Sequence, residues 1–314
     1  MKIIGSSNAR VGLAAGMAVL RAGGSAMDAV EQAIRAVESN PEDHTVGLGG
    51  LPNILGVVEL DASIMDGRTR AAGAVGGLAG FEHPISVARR VMAELPHAFL
   101  VGEGAARFAR ECGFEPSELL TEEARAIYAA GLRGDAAGTG RFGGAVLRAM
   151  TARLATQPER ASGRDAGTVN VLALDGEGHL CTGVSTSGFA WKYPGRVGDS
   201  AVIGAGNYCD DRYGAAACTG RGEIAIRAAT AHSVVMHLAQ GDSPAVAGEK
   251  AMRALDSFAD PYFSAMNCVV LAPDGRSAAF SSVEGQSYVF MTDASTGVEE
   301  GARIFVPVDT GPRA

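Results

Sequence analysis

RDAGTVNVLALDGEGHL, residues 164–180, joins two kinds of chain. Up to Gly167 the sequence is small, polar and weakly patterned. From Val169 it reads as a buried strand: Val169, Val171, Leu172, Ala173 and Leu174 are apolar, and Asp175-Gly176 marks a turn. The junction is Gly167-Thr168, more than halfway along a chain of 314 residues. Alone, this dipeptide reads most simply as the start of a strand. A second reading is chemical. A threonine hydroxyl is a weak nucleophile and needs a base beside it. A cut just before Thr168 would create an α-amino group with an ordinary pKa of about 7.7–8.0, a useful value for a general base at working pH. Gly167 would present an unhindered carbonyl to the hydroxyl and tolerate strained backbone angles.

Working outward, the second half alternates strands and turns. Strands are expected at 169–174, 180–186, 201–205, 214–219, 267–272, 278–283 and 286–292. Two helices interrupt them, over GEIAIRAATAHSVVMHLAQG and SPAVAGEKAMRAL. In the first half, Val11 to Ala22 reads as a helix stopped by Gly23-Gly24. Ser25 then caps a second helix, with Asp28 placed to close a capping box. Ala26, Val30, Ala33, Ile34 and Val37 form its apolar stripe. Strands and turns are expected within 46–80, and helices at 84–95, at 103–113 and after Thr121, an N-cap. The pattern argues for an α+β layered fold with antiparallel sheets, folded as a single domain over 1–314. A flexible linker is expected at about 134–166.

Bulk composition excludes several classes. The formal charge is −8 and aromatics are 6%, with no long Lys/Arg run, which argues against nucleic-acid binding. No stretch of about 18 uncharged apolar residues suggests a membrane span, and the N-terminus lacks a secretory pattern. The five cysteines are an odd, widely spaced set without a CxxC, so neither disulfides nor a metal site is expected, and a cytoplasmic location fits. G-x-S-x-G and phosphate-loop motifs are missing, and none of the six histidines has the setting of a Ser-His-Asp site.

The surroundings of Thr168 change the balance. STSGFAWKYPGRVGDS comes next at 185–200 and AACTGRGE at 216–223. With RAGGSAMDAVEQAI, VGLGGLPN, ELDASIMDG, HPISVARRVM and LVGEGAARFA in the first half, the chain resembles the N-terminal-nucleophile (Ntn) hydrolases of the glycosylasparaginase / plant-type L-asparaginase (isoaspartyl peptidase) family. That resemblance implies a four-layer αββα sandwich with two antiparallel sheets. It implies Thr168 as nucleophile, both for self-cleavage at Gly167-Thr168 and for substrate. Thr186 matches the second hydroxyl that tunes the nucleophile. Arg196 matches the clamp on the substrate α-carboxylate, a task suited to a guanidinium fork. Asp199, with the Gly222 carbonyl, matches the partner of the substrate α-ammonium. Thr219 and Gly220 match the oxyanion hole.

The same resemblance implies an autoprocessing enzyme with an α chain of 1–167 and a β chain of 168–314, pairing as a homodimer of αβ units. It would use no metal or organic cofactor and hydrolyse the side-chain amide of asparagine or an N4-substituted asparagine through a threonyl ester. Three departures bear on the substrate. Gly167, rather than His-Asp, precedes the nucleophile. Asn170 stands where the family usually has glycine. The N-terminal GSSNARVG lacks a substrate-packing tryptophan, the chain's one tryptophan being Trp191. Beta-aspartyl peptides, or non-hydrolytic binding of a small amino acid by an unprocessed chain, are the other readings the sequence leaves open.

Overall fold

The fold is described from a computed structural model covering residues 1–132 and 167–310, together with Ala149 and Thr151. The linker expected at about 134–166 otherwise lies outside the described residues. Two sheets dominate. The larger has eight strands: β1 (Lys2–Ser6), β2 (Leu60–Asp66), β3 (Ala72–Leu78), β4 (Phe99–Val101), β5 (Val169–Leu174), β6 (Leu180–Thr186), β11 (Ser287–Thr292) and β12 (Glu299–Ala302). Their spatial order is β12-β11-β1-β5-β6-β2-β3-β4. The smaller contains β7 (Asn207–Asp210), β8 (Gly214–Gly220), β9 (Met266–Leu271), β10 (Ser277–Ser281) and β13 (Ile304–Phe305), ordered β13-β10-β9-β8-β7. The expectation of purely antiparallel sheets is corrected at two edges: β3 with β4, and β10 with β13, pair in parallel.

Packing obeys the alternation of side chains across each strand. Ile4, Leu172 and Val184 of the large sheet meet Ala215, Ala217, Val269 and Leu271 of the small one in a shared core. On the other face of the large sheet, Ile3, Val171 and Val289 pack against helices α1 (Arg10–Arg21), α2 (Ala26–Glu38), α3 (Pro84–Glu94) and α4 (Gly102–Glu111). The far face of the small sheet, including Cys218, Cys268 and Phe280, is covered by α6 (Gly222–Ala228), α7 (Thr230–Ala239) and α8 (Pro244–Ala254). Between these groups α5 (Glu122–Gly131) lies against the loop after α2, in a small cluster with Leu51, Leu60 and Leu119. Ser25 and Asp28 form the capping box the sequence predicts, and Ala26, Val30, Ala33, Ile34 and Val37 are all buried.

Two expectations differ from the structure. Residues 201–205 are not a strand. Asp199–Ala201 is a 3₁₀ turn, after which only an isolated bridge links Ile203 to Asn207. The helix expected across 222–241 breaks at Ala229, which is left-handed with φ 46°. The break lets the backbone N–H groups of Ala231 and His232 donate to the carbonyls of Ala205 and Gly204, so α7 starts against the loop that carries Asp199.

Helices α1 and α2 are pressed together at Gly12, where a Cβ would sit 1.9 Å from the Ala33 carbonyl oxygen. Backbone cannot yield to a methyl group as a flexible side chain does. Gly12→Ala is therefore expected to destabilise the fold by about 1–3 kcal/mol, read as a lowered melting temperature; an unchanged melt would show that the crossing is loose.

Candidate active site

The site grows from one row across the large sheet. In the β5–β6 ladder Val169 faces Ser185, so the register carries Thr168 to the level of Thr186. In the β2–β6 ladder Thr186 faces Asp61. Adjacent strands lie about 4.8 Å apart, which places the Thr168 and Asp61 backbones about 10 Å from each other. Asp61 is fully buried. One of its oxygens accepts from Gly77 N–H and the other from Gly198 N–H, both at 2.8 Å. The second bond docks the 195–200 loop onto the sheet beside Thr186, and Ser63 reinforces it by donating to the Ser200 carbonyl.

That loop brings Arg196, Asp199 and Gly222 together, as the sequence implies. A Cβ on Gly222 would meet Asp199 Oδ1 at 2.7 Å and Arg196 Nη2 at 2.9 Å. Glycine is thus required for the close approach at the start of α6. Asp199 is buried, and its Oδ2 has no hydrogen-bond partner. Burial, only partly offset by the nearby Arg196 charge, pushes its pKa up to about 7. Arg196 does not turn to Asp199. Its Nε and Nη2 donate to the two carboxylate oxygens of Glu223 at 3.1 and 3.2 Å, and its guanidinium lies 4.6 Å from the centre of the Phe189 ring. Arg221 also stacks on Phe189, at 5.2 Å, and is itself held by Glu223 and Asp260.

Thr219 and Gly220 end β8 in the facing sheet. Thr219 Oγ1 accepts from Asn267 Nδ2 at 3.2 Å, and Gly220 adopts φ 113°, a region open to glycine but rarely to other residues. Thr186 Oγ1 donates to the Thr45 carbonyl at 3.3 Å and accepts from Gly188 N–H at 3.0 Å. In the intact chain this hydroxyl is therefore occupied by the 43–50 loop.

Four contributors escape a reading of the sequence. Asn8 and Thr45 both donate to the Gly167 carbonyl, Asn8 at 3.1 Å, and Asp43 bonds to each of them. Lys192 is buried and donates to the carbonyls of Glu59 and Ser187 at 2.8 and 3.1 Å, and burial lowers its pKa. The only sequence signal for the first three is their nearness to GSSN and to the VGLGG run. Asn170 is turned toward the end of β1. Its Oδ1 accepts from Ser6 N–H and its own N–H donates to Ser6 Oγ, tying β5 to the end of β1. A cavity of about 420 Å³ adjoins Lys192 and Arg196, lined also by Phe189, Trp191, Tyr193, Arg221, Glu223 and Tyr262 among others. Trp191, the residue the N-terminal segment lacks, thus contributes to this wall, its indole N–H donating to the Tyr128 carbonyl at 3.2 Å.

Hydroxyl side chains at the ends of strands from both sheets, with Arg196 and Asp199 drawn together beside Gly222, make up the candidate site. Comparison with known sequences identifies the family. The asparaginase family pattern matches residues 7–298. The chain is 36% identical to an N(4)-(beta-N-acetylglucosaminyl)-L-asparaginase of Mus musculus, over 79% of this chain and 75% of the relative. It is 37% identical to a plant-type L-asparaginase of Pyrococcus furiosus, over 88% and 87%. It is also 37% identical to an isoaspartyl peptidase/L-asparaginase of Mus musculus, over 76% and 67%. The chain belongs to the asparaginase family. Among the described residues, no helix is long and apolar enough to cross a membrane.

Proposed function

We propose that this protein is an autoprocessing amidohydrolase that cleaves the side-chain amide of asparagine or an N4-substituted asparagine, releasing aspartate. The observation that carries this reading is the juxtaposition of Thr168, in register with Thr186, and an unpartnered buried Asp199 beside Arg196. Self-cleavage at Gly167-Thr168 frees the α-amino group of Thr168, which then takes the proton from its own hydroxyl. The hydroxyl attacks the side-chain amide carbon. Thr219 and the Gly220 N–H hold the oxyanion, ammonia or an amine leaves with a proton, and water hydrolyses the β-aspartyl ester. Asp199 and the Gly222 carbonyl hold the substrate ammonium. Arg196 takes its carboxylate, which requires the fork to release Glu223. The elements form a four-layer αββα sandwich, a reading supported by separate cores between the sheets and on the outer face of each. The αβ units pair as a homodimer in the cytoplasm.

The cavity beside Arg196, which reaches Tyr193 and Tyr262, offers room for a substituent next to an amino acid bound by that arginine. Hydrolysis rates for asparagine, a β-aspartyl dipeptide and a glycosyl-asparagine test the reading together. Turnover of asparagine or the glycosyl-asparagine is expected to dominate. Exclusive turnover of the dipeptide would move the protein to the isoaspartyl peptidase branch, and no turnover of any would refute hydrolysis. Arg196→Lys is expected to raise KM by about tenfold or more with a smaller change in kcat, because an ammonium cannot reproduce the two-point grip. An unchanged KM would remove Arg196 from the carboxylate site.

A further inference from the structure

We propose that Asn8 and Thr45 are catalytic residues of self-cleavage, a preformed pair of donors on the Gly167 carbonyl oxygen held in place by the Asp43 carboxyl group. The proposal rests on the reading that the chain cuts itself at Gly167-Thr168, and it assigns work to residues that the substrate reaction does not use.

The geometry is specific. Gly167 O accepts from Asn8 Nδ2 at 3.1 Å and from Thr45 Oγ1 in a shorter contact. The two donors come from separate segments of the first half of the chain, and Asp43 joins them. Its Oδ2 accepts from Asn8 Nδ2 at 2.8 Å, and its Oδ1 accepts from Thr45 N–H at 2.9 Å and lies 2.6 Å from Thr45 Oγ1. Asn8 is fixed from behind, because Ser6 Oγ donates to its Oδ1 at 2.7 Å and Ser6 in turn accepts from Asn170 N–H. The amide of Asn8 has two hydrogens, enough for both Asp43 and Gly167. The hydroxyl of Thr45 has one hydrogen and two oxygens facing it. The Gly167 carbonyl can only accept, so an Asp43 carboxyl that keeps its proton satisfies both contacts: it donates to Thr45 Oγ1, and Thr45 donates to Gly167. Burial raises the Asp43 pKa in that direction, against the hydrogen bonds from Thr45 and Asn8.

In the step itself, Thr168 Oγ forms a bond to the Gly167 carbonyl carbon, and the π pair moves to the oxygen. Asn8 and Thr45 hold that charge. The pair returns, the bond from carbon to Thr168 N breaks, and the proton lost by Oγ ends on the departing nitrogen. The resulting ester takes up water to give the Gly167 carboxyl group and free Thr168. Donors already in place cost no reorganisation as charge develops, which is the condition under which such contacts matter most. Asp43 acts through them and is a positioning residue.

The test is the rate at which the freshly purified intact chain disappears on denaturing gels. It is measured for wild type, Thr45→Val, Thr45→Ser, Asn8→Ala, Asp43→Ala and Asp43→Asn, each checked by thermal melting. Thr45→Val and Asn8→Ala are each expected to slow cleavage by about a hundredfold, with Thr45→Ser restoring most of the rate. Asp43→Asn should retain more of the rate than Asp43→Ala, which a purely structural role would not produce at equal melting temperature. Should Thr45→Val fail to fold, Asn8→Ala decides. Cleavage of wild type together with wild-type rates in Thr45→Val and Asn8→Ala overturns the proposal alone. A wild-type chain that never cleaves overturns the self-cleavage reading as well.

Discussion

Thr168→Ala is expected to give a single intact polypeptide of 32.0 kDa without activity on asparagine derivatives. Both losses would have one cause, since in the proposed mechanism the hydroxyl attacks Gly167 first and the substrate afterwards. Removing a covalent nucleophile is expected to lower kcat by about a thousandfold or more. Thr168→Ser gives the informative contrast, because it keeps the hydroxyl and, once cut, the amine. It is expected to process and turn over, more slowly, since it lacks the methyl group that limits rotamers. The substitution leaves the fold alone: Thr168 is half-buried at the mouth of β5, while the strand's anchoring residues begin at Val169. Gels and steady-state rates read both effects. An active Thr168→Ala chain, cut or uncut, would refute the threonine mechanism.

The second large effect is expected at Asp199, where function and stability pull in opposite directions. Its carboxyl is buried without a partner on Oδ2, and its pKa stands at about 7 against an ordinary value near 3.8. The folded chain thus binds this proton more tightly than the unfolded chain. No penalty exists below about pH 4, where both states are protonated. Between pH 4 and 7 stability is lost as the pH rises, reaching roughly 4 kcal/mol above pH 7. Asp199→Asn removes the charge, and its melting temperature is expected to exceed that of wild type by several degrees at pH 8 and to match it at pH 4. In the proposed mechanism the same change removes the anion that would hold the substrate ammonium, and kcat/KM should fall by about a hundredfold or more. In the wild type, kcat/KM should fall with acid below about pH 7 as Asp199 takes up its proton. Equal melts at pH 8, with substrate binding intact, would show that Asp199 neither carries a buried charge nor meets the ammonium.

Local features of this protein are readable in the sequence because their causes are local. The Ser25 capping box, the apolar stripe of α2 and strands β5 and β6 all arise from residues within one element. The clustering of Arg196, Asp199 and Gly222 is legible too, through the resemblance that fixes the two loops against each other. The features that escape are set by tertiary contact. Strand β1 is five residues long, and its place between β11 and β5 is fixed by long-range pairing. The short edge strands β4 and β13 run parallel to their neighbours, which no hairpin signal announces. Residues 201–205 are apolar without forming a strand, Ile203 packing partly buried against the core between the sheets, and a short apolar run does not distinguish packing from pairing. The break at Ala229 involves neither glycine nor proline, and its cause is the pair of carbonyls at Gly204 and Ala205. Asn8 and Thr45, joined by Asp43, meet Gly167 across more than 120 residues of chain, so spacing could not reveal them. Glu223 is visible only as part of TGRGE, and its hold on Arg196 is a property of the folded loops.

The most direct measurement is the mass of the protein quenched in acid during turnover of an N4-substituted asparagine. A β-aspartyl group carried as an ester on Thr168, at the amino terminus of a fragment beginning with that residue, is the predicted result. An adduct on any other side chain, or turnover by a chain still joined at Gly167-Thr168, contradicts it.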